Sequence, residues 1–193
     1  MRFHSCPRYS AGMALIQSFP QLWLLSDARN DAVLEAALAR LPRGSGFIYR
    51  HYHLPPVERL ARFARLARLA RARGHTVVLA DSALTAREWG ADGIYGAPRA
   101  LCPRRDDLLR LATVHSLAEM AAARRMGADA VLLSPVFATR THPGAGFLGP
   151  LRWRLLAGKA GAMPVIALGG MNARTARRLN WPHWAAIDGL SAL

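Results

Sequence analysis

The feature that most constrains this chain is one phrase written twice. Trp89-Gly90-Ala91-Asp92-Gly93-Ile94 and Met126-Gly127-Ala128-Asp129-Ala130-Val131 each end a helical pattern at a glycine, turn through Ala-Asp and open an apolar run. Glycine just past a helix end accepts the left-handed backbone that a side chain resists, so the phrase reads as a helix stop leading into a strand. Trp184-Ala185-Ala186-Ile187-Asp188-Gly189 carries the strand half of the same grammar. A chain that turns repeatedly from helix to buried strand must lay those strands parallel, because the crossover helix returns each one to the same end.

Short apolar runs and helical patterns alternate along the whole chain. Strands are predicted at 22–25, 47–49, 76–79, 93–95, 109–114, 130–133, 165–168 and 185–187. Helices are predicted at 31–40, 57–73, 84–89, 116–126, 150–160 and 173–179, with Gly74 and Gly90 as stops. Ser116 followed by Glu119 predicts a reciprocal capping box. Residues 97–105 contain Pro98 and Pro103, so the crossover after the fourth strand cannot be a full helix. Eight such units give a (β/α)8 TIM barrel, shortened at 193 residues against the usual ~250, with a degraded fourth crossover and a truncated last helix. Residues 1–19 are read as an N-terminal extension, with translation expected to begin near Met13, and residues 20–193 as one barrel domain. Asp92 and Asp129 fall at the bottom of such a barrel, where residues serve stability, and are given no chemistry.

Composition removes several classes of function. No apolar stretch approaches the ~20 residues that span a bilayer, and no signal-peptide run follows Arg2 and Arg8. Cys6 and Cys102 share no metal or redox spacing, which points to a reducing cytoplasm. The net charge of +14 invites a nucleic-acid partner, yet almost all of it is arginine, with Lys159 the one lysine. In residues 57–73, Arg59, Arg62, Arg65, Arg68, Arg71 and Arg73 alternate with leucine, alanine and Phe63, the pattern of an outer helix with a solvated arginine face. The excess charge is expected to attract small anions rather than nucleic acid.

In a barrel, chemistry gathers at the C-terminal ends of the strands. Those ends supply Ser26-Asp27, Arg50-His51-Tyr52-His53, Ala80-Asp81, Tyr95-Gly96, Thr113-Val114-His115-Ser116, Ser134-Pro135, Gly169-Gly170-Met171-Asn172 and Asp188-Gly189. Gly169-Gly170 ends the seventh strand and precedes a helix, an arrangement that lets backbone N–H groups approach a phosphate. The loop from Ser134 to Gly149 is glycine-rich and offers Thr139, Arg140 and Thr141 to phosphate oxygens. His115, at the end of strand five, is a candidate to move protons, and His142 on the following loop is a second.

Taken in order, Arg50, Ala80-Asp81, Gly90-Ala91-Asp92-Gly93, Thr113-Val114-His115-Ser116, the 134–149 loop and Ala167-Leu168-Gly169-Gly170-Met171 resemble the thiamine phosphate synthase/TenI family over roughly residues 20–193. The resemblance implies a barrel that binds a thiazole phosphate. Full synthases of that family join it to an aminopyrimidine diphosphate and expel pyrophosphate with Mg²⁺. TenI-like relatives instead tautomerise a thiazole carboxylate phosphate by acid–base catalysis. It further implies phosphate or substrate contacts at Arg50, Thr113, Thr139, Thr141, Gly149, Gly169, Gly170 and Ser191, and acid–base roles for His115 and His142.

The chain departs from the synthase pattern at the pyrophosphate half. Arg50-His51-Tyr52 stands where Arg-x-Lys would follow strand two, Ala80-Asp81 where Asn-Asp would follow strand three, and Gly96-Ala97-Pro98-Arg99 where a Gln and a second carboxylate would follow strand four. His142 replaces a lysine. Asp81 alone remains as an Mg²⁺ ligand, and Arg99, His51 or His53 is left to contact a diphosphate directly. Three activities stay open: tautomerase, which the retained residues favour slightly, synthase, and a non-catalytic thiazole or thiamine phosphate binder. A homo-oligomer is allowed.

Overall fold

Each of the eight apolar runs forms a strand in the computed structural model, which describes residues 19–103, 105–139 and 146–190. The strands β1 (Leu22–Leu25), β2 (Gly46–Tyr49), β3 (Thr76–Leu79), β4 (Gly93–Gly96), β5 (Leu109–Val114), β6 (Ala130–Leu133), β7 (Val165–Ala167) and β8 (Trp184–Ala186) are all parallel and close into a barrel in chain order. Closure is made by β1, where Trp23 pairs with Gly46 on one side and with Ala185 on the other. The crossovers hold helices α1 (Leu34–Arg40), α2 (Pro56–Ala72), α3 (Ala83–Glu88), α4 (Leu117–Arg125), α5 (Gly149–Ala157) and α6 (Ala173–Leu179). After β4 only a 3₁₀ turn, Pro98–Leu101, forms, as its prolines dictate. No helix among the described residues is long and apolar enough to cross a membrane.

Successive side chains of a strand point to opposite faces, and both faces here are covered, so the strands are mostly apolar, with Arg110 of β5 the one charged residue among them. One set of residues fills the barrel: Trp23, Leu25, Ile48, Val78, Leu111, Ala130, Leu132, Ile166 and Ala185. The other set packs under the helices. Gly46 is required by the first set, since a Cβ there would lie 2.0 Å from the Trp23 ring. Phe19, counted with the extension by the sequence, packs on Trp23 with ring centroids 5.6 Å apart.

The two Gly-Ala-Asp phrases fold identically. Ala91 N–H donates to Ala86 and Asp92 N–H to Val77, just as Ala128 N–H donates to Ala123 and Asp129 N–H to Arg110. Each aspartate carboxylate then accepts from the first amides of the preceding strand, Val77 or Arg110, at 2.7 Å. This explains why these carboxylates recur, and it is a structural role at the barrel bottom.

Two local expectations change. Ser116 does cap α4, accepting from the Glu119 amide at 3.2 Å, but Glu119 does not return the bond to Ser116. Its carboxylate reaches one residue further back, to the His115 amide at 2.6 Å. The arginine face of α2 is also not uniformly solvated. Arg59 and Arg62 are 11% and 17% exposed at their side chains, because each finds a carboxylate at the strand ends or on the neighbouring helix.

Candidate functional site

The inward register of β1, β2, β4 and β5, continued past the packed core, brings Asp27, Arg50, Tyr95 and Thr113 to the mouth of the barrel. Arg50 is not an open cation there. Its Nη2 donates to Asp27 Oδ2 at 2.6 Å, and Asp27 Oδ1 accepts from Arg29 Nε at 2.9 Å. Arg29 reaches on to Asp188, past the end of β8, at 3.3 Å. The alternating chain Arg50–Asp27–Arg29–Asp188 therefore laces the ends of β2, β1 and β8. Burial alone would raise the Asp27 carboxyl, but the Arg29 hydrogen bonds and the charges of Arg29 and Arg50 outweigh it and hold the group below its ordinary value. Beside this chain the Tyr95 hydroxyl is hydrogen-bonded to Thr113, and burial pushes its ionisation upward, so it stays a neutral phenol.

A second knot locks the ends of β2 and β3. Arg59, from the first turn of α2, bonds Asp81 Oδ2 at 2.5 Å, the Ala80 carbonyl at 3.0 Å and the Arg50 carbonyl at 3.0 Å. Its guanidinium lies over the rings of Trp89, Tyr52 and Tyr49 at 5.3, 5.6 and 5.9 Å. The other Asp81 oxygen accepts from the Ser82 amide at 2.7 Å. Mg²⁺ wants several oxygen ligands, usually with one or two carboxylates. As arranged, Asp81 is a single carboxylate already neutralised by a guanidinium, and among the described residues no three His, Cys, Asp or Glu side chains cluster. The residues do not fit the metal. His51 is also not a mouth cation: it is buried with both ring nitrogens bonded, whereas His53 and Arg99 are exposed.

His115 stands on the rim after β5, with its side chain 53% exposed. Its Nδ1 lies 3.1 Å from Glu119 Oε2, the same oxygen that accepts its own amide. A carboxylate on Nδ1 fixes the tautomer in which Nδ1 carries the proton and leaves Nε2 as the working atom.

Opposite, the Gly169-Gly170 turn and the loop after β6 are docked backbone to backbone. Val136 N–H donates to Leu168 at 2.9 Å and Phe137 N–H to Gly169 at 3.1 Å. Both glycines hold left-handed backbone, with φ of 93° and 64°. A Cβ on Gly169 would sit 2.7 Å from Pro135, and one on Gly170 would sit 2.5 Å from the Ala138 carbonyl oxygen. Glycine is thus demanded first by the loop, which presses against the turn. The helix behind it, α6, is capped by Asn172 in a reciprocal capping box with Thr175. The Gly149 amide donates to the Val136 carbonyl at 3.0 Å, which ties the start of α5 back to the loop after β6. Ser134 is buried and Thr139 half-buried. Arg140, Thr141, His142 and Ser191 lie outside the described residues.

The structure thus gathers Arg50, Thr113 and His115 around one mouth with the Gly169-Gly170 turn, while the Asp81 carboxylate bonds Arg59 and Ser82 and the Gly149 amide bonds Val136. Sequence reasoning missed Arg29, Arg59 and Glu119, and gave Asp27, Asp188 and Tyr95 no role. Asp27, Tyr95 and Asp188 were visible as strand ends, whereas Arg59 looked like one of six equivalent surface arginines.

The sequence profile of the family described as thiamine monophosphate synthase matches residues 22–187. No curated protein matches the chain. Among solved structures, a thiamine phosphate pyrophosphorylase from Pyrococcus furiosus superposes with a TM-score of 0.73 at 24% identity, over 90% of this chain and 88% of that one. A thiamine phosphate pyrophosphorylase from Bacteroides thetaiotaomicron gives 0.57 at 19% identity, over 86% and 82%. The YdjI aldolase from Escherichia coli K12 gives 0.57 at 12%, over 95% and 80%, a likeness of barrel alone.

Proposed function

This chain belongs to the thiamine monophosphate synthase (TenI) family, and from that premise we propose that it binds a thiazole phosphate at the barrel mouth and moves a proton on it, as TenI-like tautomerases do. The observation that carries this is the His115–Glu119 pair on the rim of β5. A carboxylate-backed imidazole accepts and returns a proton without metal. The phosphate is held at the Gly169-Gly170 turn and the N-terminus of α6, with Thr139, Thr141 and Ser191 supplying hydroxyls, His142 supplying charge and Arg50 completing the anion field. The net charge of +14 draws such a ligand in.

The same geometry argues against pyrophosphate chemistry. At the end of β3, Asp81, the carboxylate that would hold the metal of a diphosphate, is already paired with Arg59. The deciding experiment incubates the purified protein with a thiazole carboxylate phosphate in deuterated buffer, and separately with thiazole phosphate plus aminopyrimidine diphosphate. Deuterium exchange and tautomer formation without pyrophosphate release are expected, with His115→Asn slowing them ~10²-fold or more. Stoichiometric pyrophosphate release would make the protein a synthase. Tight binding with neither reaction would make it a binder.

A further inference from the structure

Behind the mouth lies a chain of three side chains that no part of the proposed reaction uses. Ser26 follows β1, His51 follows β2, and Asp31 sits in the 3₁₀ turn Ala28–Val33. His51 Nδ1 is 2.8 Å from Ser26 Oγ, and His51 Nε2 is 2.8 Å from Asp31 Oδ1. The order serine, histidine, aspartate is that of a nucleophilic triad, but the serine is completely buried and the histidine 1% exposed. No substrate carbonyl can reach that hydroxyl, so the arrangement needs another explanation.

The direction of each proton supplies it. Ser26 Oγ accepts from the Arg50 amide at 2.8 Å, so its own hydrogen is free to go to His51 Nδ1. Nδ1 is then the acceptor, and Nε2 carries the hydrogen donated to Asp31. Asp31 is fixed in turn by Arg62, whose Nε donates to the same oxygen at 2.7 Å while its Nη1 holds Glu35 at 2.5 Å. Burial lowers the His51 pKa, consistent with a neutral ring. His51 also stacks on Tyr49, with centroids 4.7 Å apart and planes at 13°. Its backbone is left-handed at φ 39°, a conformation that a non-glycine residue keeps only when its surroundings hold it there.

We propose that His51 is a positioning residue for Arg50, acting through Ser26 and anchored by Asp31. Arg50 is gripped at three points: its amide by Ser26, its carbonyl by Arg59 and its guanidinium by Asp27. The relay supplies the first grip, and with it the left-handed turn that ends β2 immediately after Arg50. The proposal rests on the reading that Arg50 contributes to anion binding, and its test separates the two.

Two measurements are made on wild type, Arg50→Ala, His51→Asn, Ser26→Ala and the Arg50→Ala/His51→Asn double variant. Asparagine tolerates left-handed backbone but is too short to bridge Ser26 and Asp31. The first measurement is hydrogen exchange at the Arg50 amide, which His51→Asn and Ser26→Ala should each speed at least tenfold while far-UV dichroism is unchanged. The second is affinity for inorganic phosphate and pyrophosphate by calorimetry. His51→Asn should weaken it several-fold, and the double variant should bind no worse than Arg50→Ala alone, because the two residues act as one unit. Unchanged exchange at Arg50 in both relay variants overturns the proposal, as does full additivity with Arg50→Ala. If Arg50→Ala binds phosphate as wild type does, the anion role of Arg50 fails, and the exchange result alone decides the relay. Should His51→Asn fail to fold, Ser26→Ala carries both measurements.

Discussion

Replacing Gly170 by alanine tests the contact that shapes the candidate phosphate turn. The new Cβ enters a residue with φ of 64°, and left-handed backbone costs a side-chain-bearing residue roughly 1–2 kcal/mol. It also lands 2.5 Å from the Ala138 carbonyl oxygen and 2.8 Å from Phe137 Cβ. Backbone and a packed side chain cannot both yield, and overpacking of this kind costs about 1–3 kcal/mol. The sum is about 3 kcal/mol, or a fall in Tm of about 10 °C for a chain of this length. Gly149→Ala provides the control. Its φ is 71°, but nothing lies within 4 Å of the added Cβ, so only the left-handed cost of ~1 kcal/mol applies. Urea and thermal unfolding of both variants should therefore differ by about 2 kcal/mol. Equal destabilisation would refute the claim that the β6 loop is what requires glycine at 170. A larger side chain such as valine should disturb the loop before it ever meets a ligand, so loss of phosphate binding in Gly170→Val must be read beside its stability.

His115→Asn should lower the maximal rate with little change in ligand affinity, whereas His142→Asn should mainly weaken binding; calorimetry with steady-state kinetics separates them, and the opposite pattern would exchange their roles. EDTA should leave phosphate-ligand binding largely unchanged, because Asp81 already holds Arg59; a stoichiometric Mg²⁺ requirement would restore the synthase reading. Acid should destabilise the fold in two stages. Burial depresses both His51 and His75 below 6.5, so the unfolded chain takes up those protons first and stability falls as pH drops below ~6.5, by at most ~1.4 kcal/mol per pH unit per histidine. Asp27, Asp31, Glu35 and Asp81 are also depressed, so their contribution is present above about 4 and is lost as pH falls further. Urea midpoints from pH 5 to 8 check the first stage, and a slope unchanged in His75→Gln would contradict it.

The barrel was legible in the sequence because its signals are local. A glycine stop is closed by hydrogen bonds within a few residues, as Gly90 N–H donates to Arg87 and Gly127 N–H to Arg124, a four-residue apolar run shows in its own residue types, and α6 begins and ends where the sequence predicts, at Ala173–Leu179. Glu119 shows where locality begins to fail: the capping pattern placed it correctly in the first turn of α4, but could not tell that its carboxylate would take His115 rather than Ser116. The charge pattern of the mouth was not legible at all. Arg50 finds Asp27 across 23 residues, Arg59 finds Asp81 across 22, and Arg29 finds Asp188 across 159. Along the chain Arg59 reads as one of six solvated cations, Arg50 as a phosphate contact and Asp81 as a free Mg²⁺ ligand, while Arg29, Asp27 and Asp188 carry no role. By itself the sequence determined the order of strands, the turns between them and which ends carry polar groups. Which of those groups pair with one another was decided only when the strands came side by side in the barrel, because an ion pair depends on distance in space, and no rule of spacing along the chain encodes that distance.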